Sequence, residues 1–392
     1  MDLVPLLGSD ERAEDRAVER RGGLGGRLEH LELGSLVGVE DARDQRGPID
    51  LSVALRHAPI VWEGWDSHDD DTGPSRRRYP RQTRSVIVLG VDVDADLLRR
   101  WQGWLAPQVQ PFFVESLRSW PESARAPVGL TAELSPELRD TYKVWKLDRS
   151  LETLWLDEET FFTMSRSERA ALVRAQVEHG RGAVPAVRAW ADLLAAATLR
   201  SQADGHRFVW WPSLLAGDPD VTAQILSRTV AADALPNRHR DVTRKTWDEC
   251  AEVLPAARAL AGSFPSSSGA NCFGTVMATA GVDGAAEAWM LQGPFLDWLD
   301  SACQPSRRQG HDDDHPGTVL VWRNRDGLPV HAAVTIGHGW ALEKPSQEWS
   351  TPRVVLRVPD LIRANRSPGQ RLERHRIRSS YASRPPVGVA QR

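Results

Sequence analysis

The sequence predicts an α+β chain: a mainly helical region over residues 83–235, then a second unit over 236–362 in which a helix leads into short strands. Three observations support this. Ser165-Arg166-Ser167-Glu168 is a capping box, with an N-cap serine and a glutamate three residues on, and it opens a helix inside the first region. After Gly317 the texture changes to alternating apolar runs separated by Asp-Gly and Gly-His-Gly turns, the pattern of hairpin-connected strands. Between these regions, Ser268-Gly269-Ala270-Asn271 precedes Cys272 and a stretch running to Ala280, which reads as a loop delivering a thiol to the first turn of a helix.

Taken in order, residues 1–82 are rich in Gly, Arg, Asp and Glu and weakly periodic. The linker from Asp66 to Arg84 separates its charges, with Asp69-Asp70-Asp71 and then Arg76-Arg77-Arg78. Such a segment buries too little apolar area to offset its ordering entropy, so disorder is expected. Ser85 to Val91 is a continuous apolar strand, and Asp94 to Trp104 a short amphipathic helix. The Ser165 helix carries Ala171, Leu172, Ala175 and Val177 and should stop near Gly180. Pro185 opens another, with Val187, Trp190, Leu193, Leu194 and Ala197 on one face. His206 to Leu215, with Trp210 and Trp211, is an apolar connector, and Asp220 to Val230 is helical. Thr246 to Ala261 is a helix leading to the Cys272 loop. Strands follow at Gly317–Trp322, Leu328–Ile336, Trp340–Lys344 and Pro352–Val358. The basic, Pro/Gly-punctuated tail over 363–392 is expected to be disordered, its arginines solubilising.

The 392 residues suffice for about two domains, and 41% hydrophobic residues for a real core. A net charge of −4 and a pI of about 6.3 do not fit a nucleic-acid partner held by bulk electrostatics. Lysine occurs only at positions 143, 146, 245 and 344, which with the 16 Trp reads as the coding bias of a GC-rich genome. Three cysteines give no disulfide framework and suit a reducing compartment. The start, Met1-Asp2-Leu3-Val4-Pro5-Leu6-Leu7, lacks a basic segment and a long apolar one, so no secretory leader is expected. No stretch approaches the roughly 20 apolar residues that span a bilayer. A cytoplasmic protein without membrane or nucleic-acid partners is the expectation.

The chemistry rests on a cysteine and a histidine. Unpaired N–H groups at a helix N-terminus favour a thiolate, so Cys272 is the candidate nucleophile. His331, inside the strand Val330-His331-Ala332-Ala333-Val334-Thr335-Ile336, is the candidate base. His338 sits at a turn, and Cys250 and Cys303 read as core residues. If Gly337-His338-Gly339 is a three-residue loop, Ile336 pairs with Trp340 and Ala333 faces Glu343. Glu343 then shares a sheet face with His331, a diagonal of about 7–8 Å that a Glu side chain can bridge. A two-residue loop would flip this parity. The backbone N–H of Cys272 is one oxyanion donor, and Ser266, Ser267, Ser268 and Asn271 are candidates for the second. Asn271 and Trp340 are candidates to line the substrate. His311-Asp312-Asp313-Asp314-His315 has metal-binding residue types, but five adjacent residues cannot all converge on one ion, so it reads as a solvated loop; neither metal nor cofactor is expected.

Asn-Cys-Phe-Gly-Thr-Val at 271–276 resembles the Asp-Cys-Ser-Gly-Leu-Val signature of NlpC-type peptidases, a permuted branch of the papain-like cysteine hydrolases. Pro316-Gly317-Thr318-Val319-Leu320-Val321-Trp322 is similar to that family's Gly-Asp-Leu-Val-Phe strand. His331 to Gly339 is similar to its His-Val-Gly-Ile-Tyr-Leu-Gly-Asp-Gly, and Glu343 stands where the family has a third polar residue. The resemblance covers residues 250–360, and its strength lies in the order and spacing of short motifs. It departs at Asn271 and Phe273, where the family has Asp and Ser. It implies a papain-like domain, with a Cys-bearing helix on a small antiparallel sheet. The implied activity is hydrolysis of an amide, ester or thioester of a peptide or small molecule through an acyl-thioester. The same residues would also serve an acyltransferase or cyclase. A reading from another class is a catalytically silent binding module that uses the Trp-rich helical region.

Overall fold

The computed structural model describes residues 85–120, 134, 136–144, 147–148, 150–202, 205–232, 234–306, 310 and 312–379. The expectations for 1–82, for Asp69–Asp71, for His311 and for 380–392 lie outside them. The molecule is mixed α+β with small antiparallel sheets.

The first apolar run is two strands, not one. Leu89 (φ +51°) and Gly90 (φ +76°) form a two-residue turn between β1 (Val86–Val88) and β2 (Val91–Val93), the hairpin geometry that matches strand twist. Helix α1 (Ala95–Leu105) starts where Asp94 accepts the Leu97 N–H at 2.7 Å. The region expected to be helical also holds an antiparallel pair, β3 (Val109–Val114) with β4 (Glu152–Asp157), with α2 (Pro136–Tyr142) between them in sequence. Helix α3 (Glu158–Thr163) and α4 (Arg166–Glu178) follow; in α4 both hydrogen bonds of the Ser165–Glu168 capping box are made. No helix opens at Pro185. The Pro185 carbonyl accepts the Phe208 N–H, and the Val187 N–H goes to the His206 carbonyl. Backbone groups engaged in a bridge are not available to an α-helix, so only the 3-10 turn Val187–Ala189 forms before α5 (Ala196–Gln202). Helices α6 (Pro212–Leu215) and α7 (Pro219–Ala231), the latter capped by Asp218, complete this part.

The helix expected over 246–261 breaks into α8 (Arg244–Ala251) and α9 (Ala257–Leu260) around Pro255, which has no N–H to continue the ladder. Next come α10 (Cys272–Thr279), all eight residues buried, and α11 (Gln292–Ala302). Then follow β5 (Cys303–Pro305), β6 (Pro316–Arg323), β7 (Pro329–Gly337), β8 (Trp340–Glu343) and β9 (Val354–Arg357), α12 (Val358–Ala364) and β10 (Arg371–Ile377). One sheet orders the strands β5-β10-β6-β7-β8-β9. Strand β10 corrects the expectation of a disordered tail from 363. Its basic residues are paired, Arg374 with Asp313 at 2.8 Å, and its Glu373 takes Arg323 at 2.5 Å.

Two cores flank the sheet. Ala332, Val334 and Ile336 of β7 join Val276 and Phe273 of α10, together with Trp298 and Leu299 of α11. Ala333, Ala341 and Leu356 pack with Val358 and Leu361 of α12. The two regions of the chain share a third core, in which Trp101 meets Phe264 edge-on at 4.8 Å and Trp349 at 5.8 Å. Among the described residues no helix is long and apolar enough to cross a membrane.

Candidate active site

Helix α10 exists because Asn271 caps it. Its Oδ1 accepts the Gly274 N–H at 3.1 Å, and its Nδ2 donates to the Met290 carbonyl at 2.8 Å. Cys272 is therefore the first helical residue, and its N–H has no acceptor four residues back in the helix. Gly274 is required by packing: a Cβ there would lie 2.3 Å from the Ala285 carbonyl oxygen.

His331 and Glu343 meet by a route different from the expected one. The loop between β7 and β8 has two residues, since Gly337 pairs with Trp340, and His338 (φ +52°) and Gly339 (φ +72°) form the turn. That shift alone would have put Glu343 on the wrong face. A bulge between Thr335 and Gly337, at Ile336, returns the register to Thr335–Ala341 and Val334–Leu342, so the parity is restored. His331 Nε2 lies 2.8 Å from Glu343 Oε2.

Glu343 is fully buried, and among the described residues His331 is its only ion-pair partner. The same Oε2 accepts from Asn365 Nδ2 at 2.7 Å. Asn365, at the C-terminus of α12, was not foreseen. It lies in what read as a tail, and its role depends on how α12 packs. Trp322, paired with His331 across β6 and β7, covers the imidazole with ring centroids 5.3 Å apart.

The electrostatics follow from these contacts. Burial disfavours the His331 imidazolium, but the charge and hydrogen bond of Cys272, then those of Glu343, outweigh it and hold the ring at about 10. With Nε2 committed to Glu343, Nδ1 is the nitrogen left for the sulfur. Burial pushes the Cys250 and Cys303 thiols up to about 12, as inert core cysteines require.

Cys272 and His331 line a narrow cleft of about 50 Å³. Its walls come from four segments: Asn271 to Phe273, residues 289–292 before α11, residues 329–331 of β7, and residues 344–347 after β8. Asn271 thus lines it. Trp340 does not; it lies at the far end of β8, with Arg357 over its ring at 3.7 Å. The four candidate second oxyanion donors are engaged elsewhere: Ser266 with the Glu287 carboxylate, Ser267 with the Glu287 carbonyl, Ser268 with Asp140 and Asn271 with Met290. His338 binds Glu249 at 2.7 Å, remote from the cleft.

The first region braces the site without lining it. Asp140 Oδ2 accepts from Ser268 Oγ at 3.0 Å, Thr141 Oγ1 accepts from Trp349 Nε1 at 3.0 Å, and Arg100 donates to the Ser266 carbonyl at 2.9 Å. The acidic loop after β5 sends its carboxylates apart, Asp312 to Ser306 and Asp313 to Arg374. Among the described residues no group of three or more His, Cys, Asp or Glu could hold a metal ion. No protein-family model, curated protein or solved structure matches the chain.

Proposed function

We propose that the protein is a cysteine-nucleophile hydrolase of amides, esters or thioesters, with a papain-like arrangement of the NlpC type. The observation that carries this reading is the imidazole of His331, held by Glu343 through Nε2 and lining one cleft with Cys272. His331 takes the thiol proton, and the sulfur attacks the substrate carbonyl. The Cys272 N–H, the first of α10, donates to the oxyanion. Donors of this kind supply about 2.7–4 kcal/mol each in acyl-transfer enzymes. The imidazolium returns its proton to the leaving amine, alcohol or thiol. Water, deprotonated by the same imidazole, then releases the acid and the thiol. Glu343 keeps the ring in one orientation and stabilises its cation. Transfer of the acyl group to another acceptor would use the same groups, and product analysis separates the two: a free acid indicates hydrolysis.

The test is cysteine-resolved labelling with iodoacetamide at pH 6. An ordinary thiol of pKa about 8.5 is only about 0.3% ionised there. Cys272 should react far ahead of Cys250 and Cys303, and His331→Gln should slow it by about 10². Equal, slow labelling of all three, indifferent to His331, would leave a silent binding module as the better reading.

A further inference from the structure

Residues 289–292 form one wall of the cleft, Trp289-Met290-Leu291-Gln292. Trp289 and Met290 are half-buried, and Leu291 is 48% exposed, one of few large apolar side chains among the described residues left so open. Pro329 and Val330, beside His331, also line the cleft. No Asp or Glu lines the cleft among the described residues, and Lys344, which does, donates its Nζ to the Ser346 and Glu348 carbonyls.

Leu291 holds the N-cap position of α11 with no side-chain cap. Ser, Thr, Asp or Asn at such a position would satisfy an orphan N–H and stabilise the helix. An exposed leucine there gives up both a cap and a soluble surface, and departures from local rules of this kind concentrate at functional sites. The wall cannot relax by folding inward. The Met290 carbonyl is held by Asn271 at 2.8 Å, and Gln292 Nε2 is fixed to the Pro329 carbonyl at 2.7 Å. Asn271 thus sets the nucleophile helix and the apolar wall with one side chain. A ligand that meets a preformed wall loses less free energy to ordering it.

Resting on the hydrolase reading above, we infer that the substrate's acyl group is apolar and uncharged and lies along the Trp289–Leu291 wall, while its carbonyl reaches Cys272. A cationic group would be desolvated there without a carboxylate to meet it.

The inference is tested with alkyl methanethiosulfonates, which form a mixed disulfide with Cys272 and release methanesulfinate. Rates are read by mass spectrometry at pH 8, where an unactivated but accessible thiol also reacts, and are normalised to glutathione. Each fully buried methylene is worth about fourfold, so the pentyl reagent should exceed the methyl reagent by about tenfold or more at Cys272. The 2-(trimethylammonium)ethyl reagent should gain nothing over methyl. Leu291→Asn should cut the pentyl-to-methyl ratio at least about threefold while raising the melting temperature through its new cap. A purely structural leucine predicts the thermal gain without the change in ratio. A flat ratio, a ratio indifferent to Leu291, or a Cys272 that none of the reagents reaches overturns the inference. A flat ratio with fast iodoacetamide labelling at pH 6 overturns it alone. A chain-length preference without labelling at pH 6 leaves it standing and removes the hydrolase.

Discussion

Asn271 makes two hydrogen bonds that an aspartate could not make together, accepting from Gly274 and donating to Met290. Asn271→Asp keeps the cap but turns a carboxylate toward the Met290 carbonyl. The expected result is a loss of about 1–3 kcal/mol in denaturant unfolding, from the unpaired carbonyl. Slower iodoacetamide labelling at pH 6 should accompany it, since a second anion beside the sulfur disfavours the thiolate. An unchanged unfolding midpoint would show that the Met290 contact contributes nothing. Glu343 depends similarly on its neighbours. Removing the imidazole beside it leaves a buried charge without an ion-pair partner among the described residues, so His331→Ala should destabilise by about 3–5 kcal/mol in the same assay. Glu343→Gln, which buries no charge, should destabilise less. At this scale the start of the Cys272 helix could be read from the sequence, because a cap is local; His331 and Glu343 were expected to meet, but through a three-residue loop where the structure has a two-residue loop and a bulge. Asn365 could not be read, since its contact with Glu343 spans 22 residues and exists only once α12 has packed.

Among the elements, the β7–β8 hairpin shows where local reading stops. The turn residues were legible and the loop length was not. The bulge at Ile336 is stabilised by the burial of that side chain in the α10 core, which no short window reveals. Helix α10 is constrained as tightly from the other side. A Cβ on Gly274 would strike the Ala285 backbone, which has no flexible end to yield. Gly274→Ala should therefore destabilise by at least about 2 kcal/mol, although alanine is the better helix former. Thermal unfolding measures it, and a stabilised variant would mean that the residues around Ala285 move freely. The split of the 246–261 helix and the bridge that displaces the Pro185 helix have one lesson. Apolar spacing fixes which side chains are buried, while the partners of the backbone groups decide the element.

Across the whole molecule, several buried groups bind protons differently when folded, Asp140, Lys344 and His331 among them. Burial, then the Glu348 charge, pushes Asp140 up to about 7; burial, then Arg353, pushes Lys344 down to about 7; His331 is held at about 10. The stability from His331 is full below about pH 6.5 and is lost as pH rises toward 10. That from Asp140 is full below about 3.8 and lost by about 7. Lys344 runs the other way: above about 7 the folded chain has released a proton that the unfolded chain keeps to 10.5, so stability rises. Above about 9 the unfolded chain loses protons that the buried Cys250 and Cys303 thiols keep, which lowers stability; below that, between pH 7 and 8, the slopes of His331 and Lys344 oppose and the denaturation midpoint should change little. In Lys344→Met it should fall steadily over that range, and in His331→Gln it should rise; a flat profile in Lys344→Met would refute the assignment. The second unit was largely legible, because its strands alternate and its turns are marked. The first was less so: β3 and β4 are joined across residues 115–151, and their pairing leaves no local trace. The sheet order also has a temporal meaning. β10 lies between β5 and β6, which precede it in the chain by more than forty residues. On a ribosome β6 therefore waits with an open edge, and Glu343 without Asn365, until residues 365–377 have left the exit tunnel. A nascent chain would hold Cys272 and His331 well before it could align them, and its exposed strand edge is where chaperone capture or misassembly would begin.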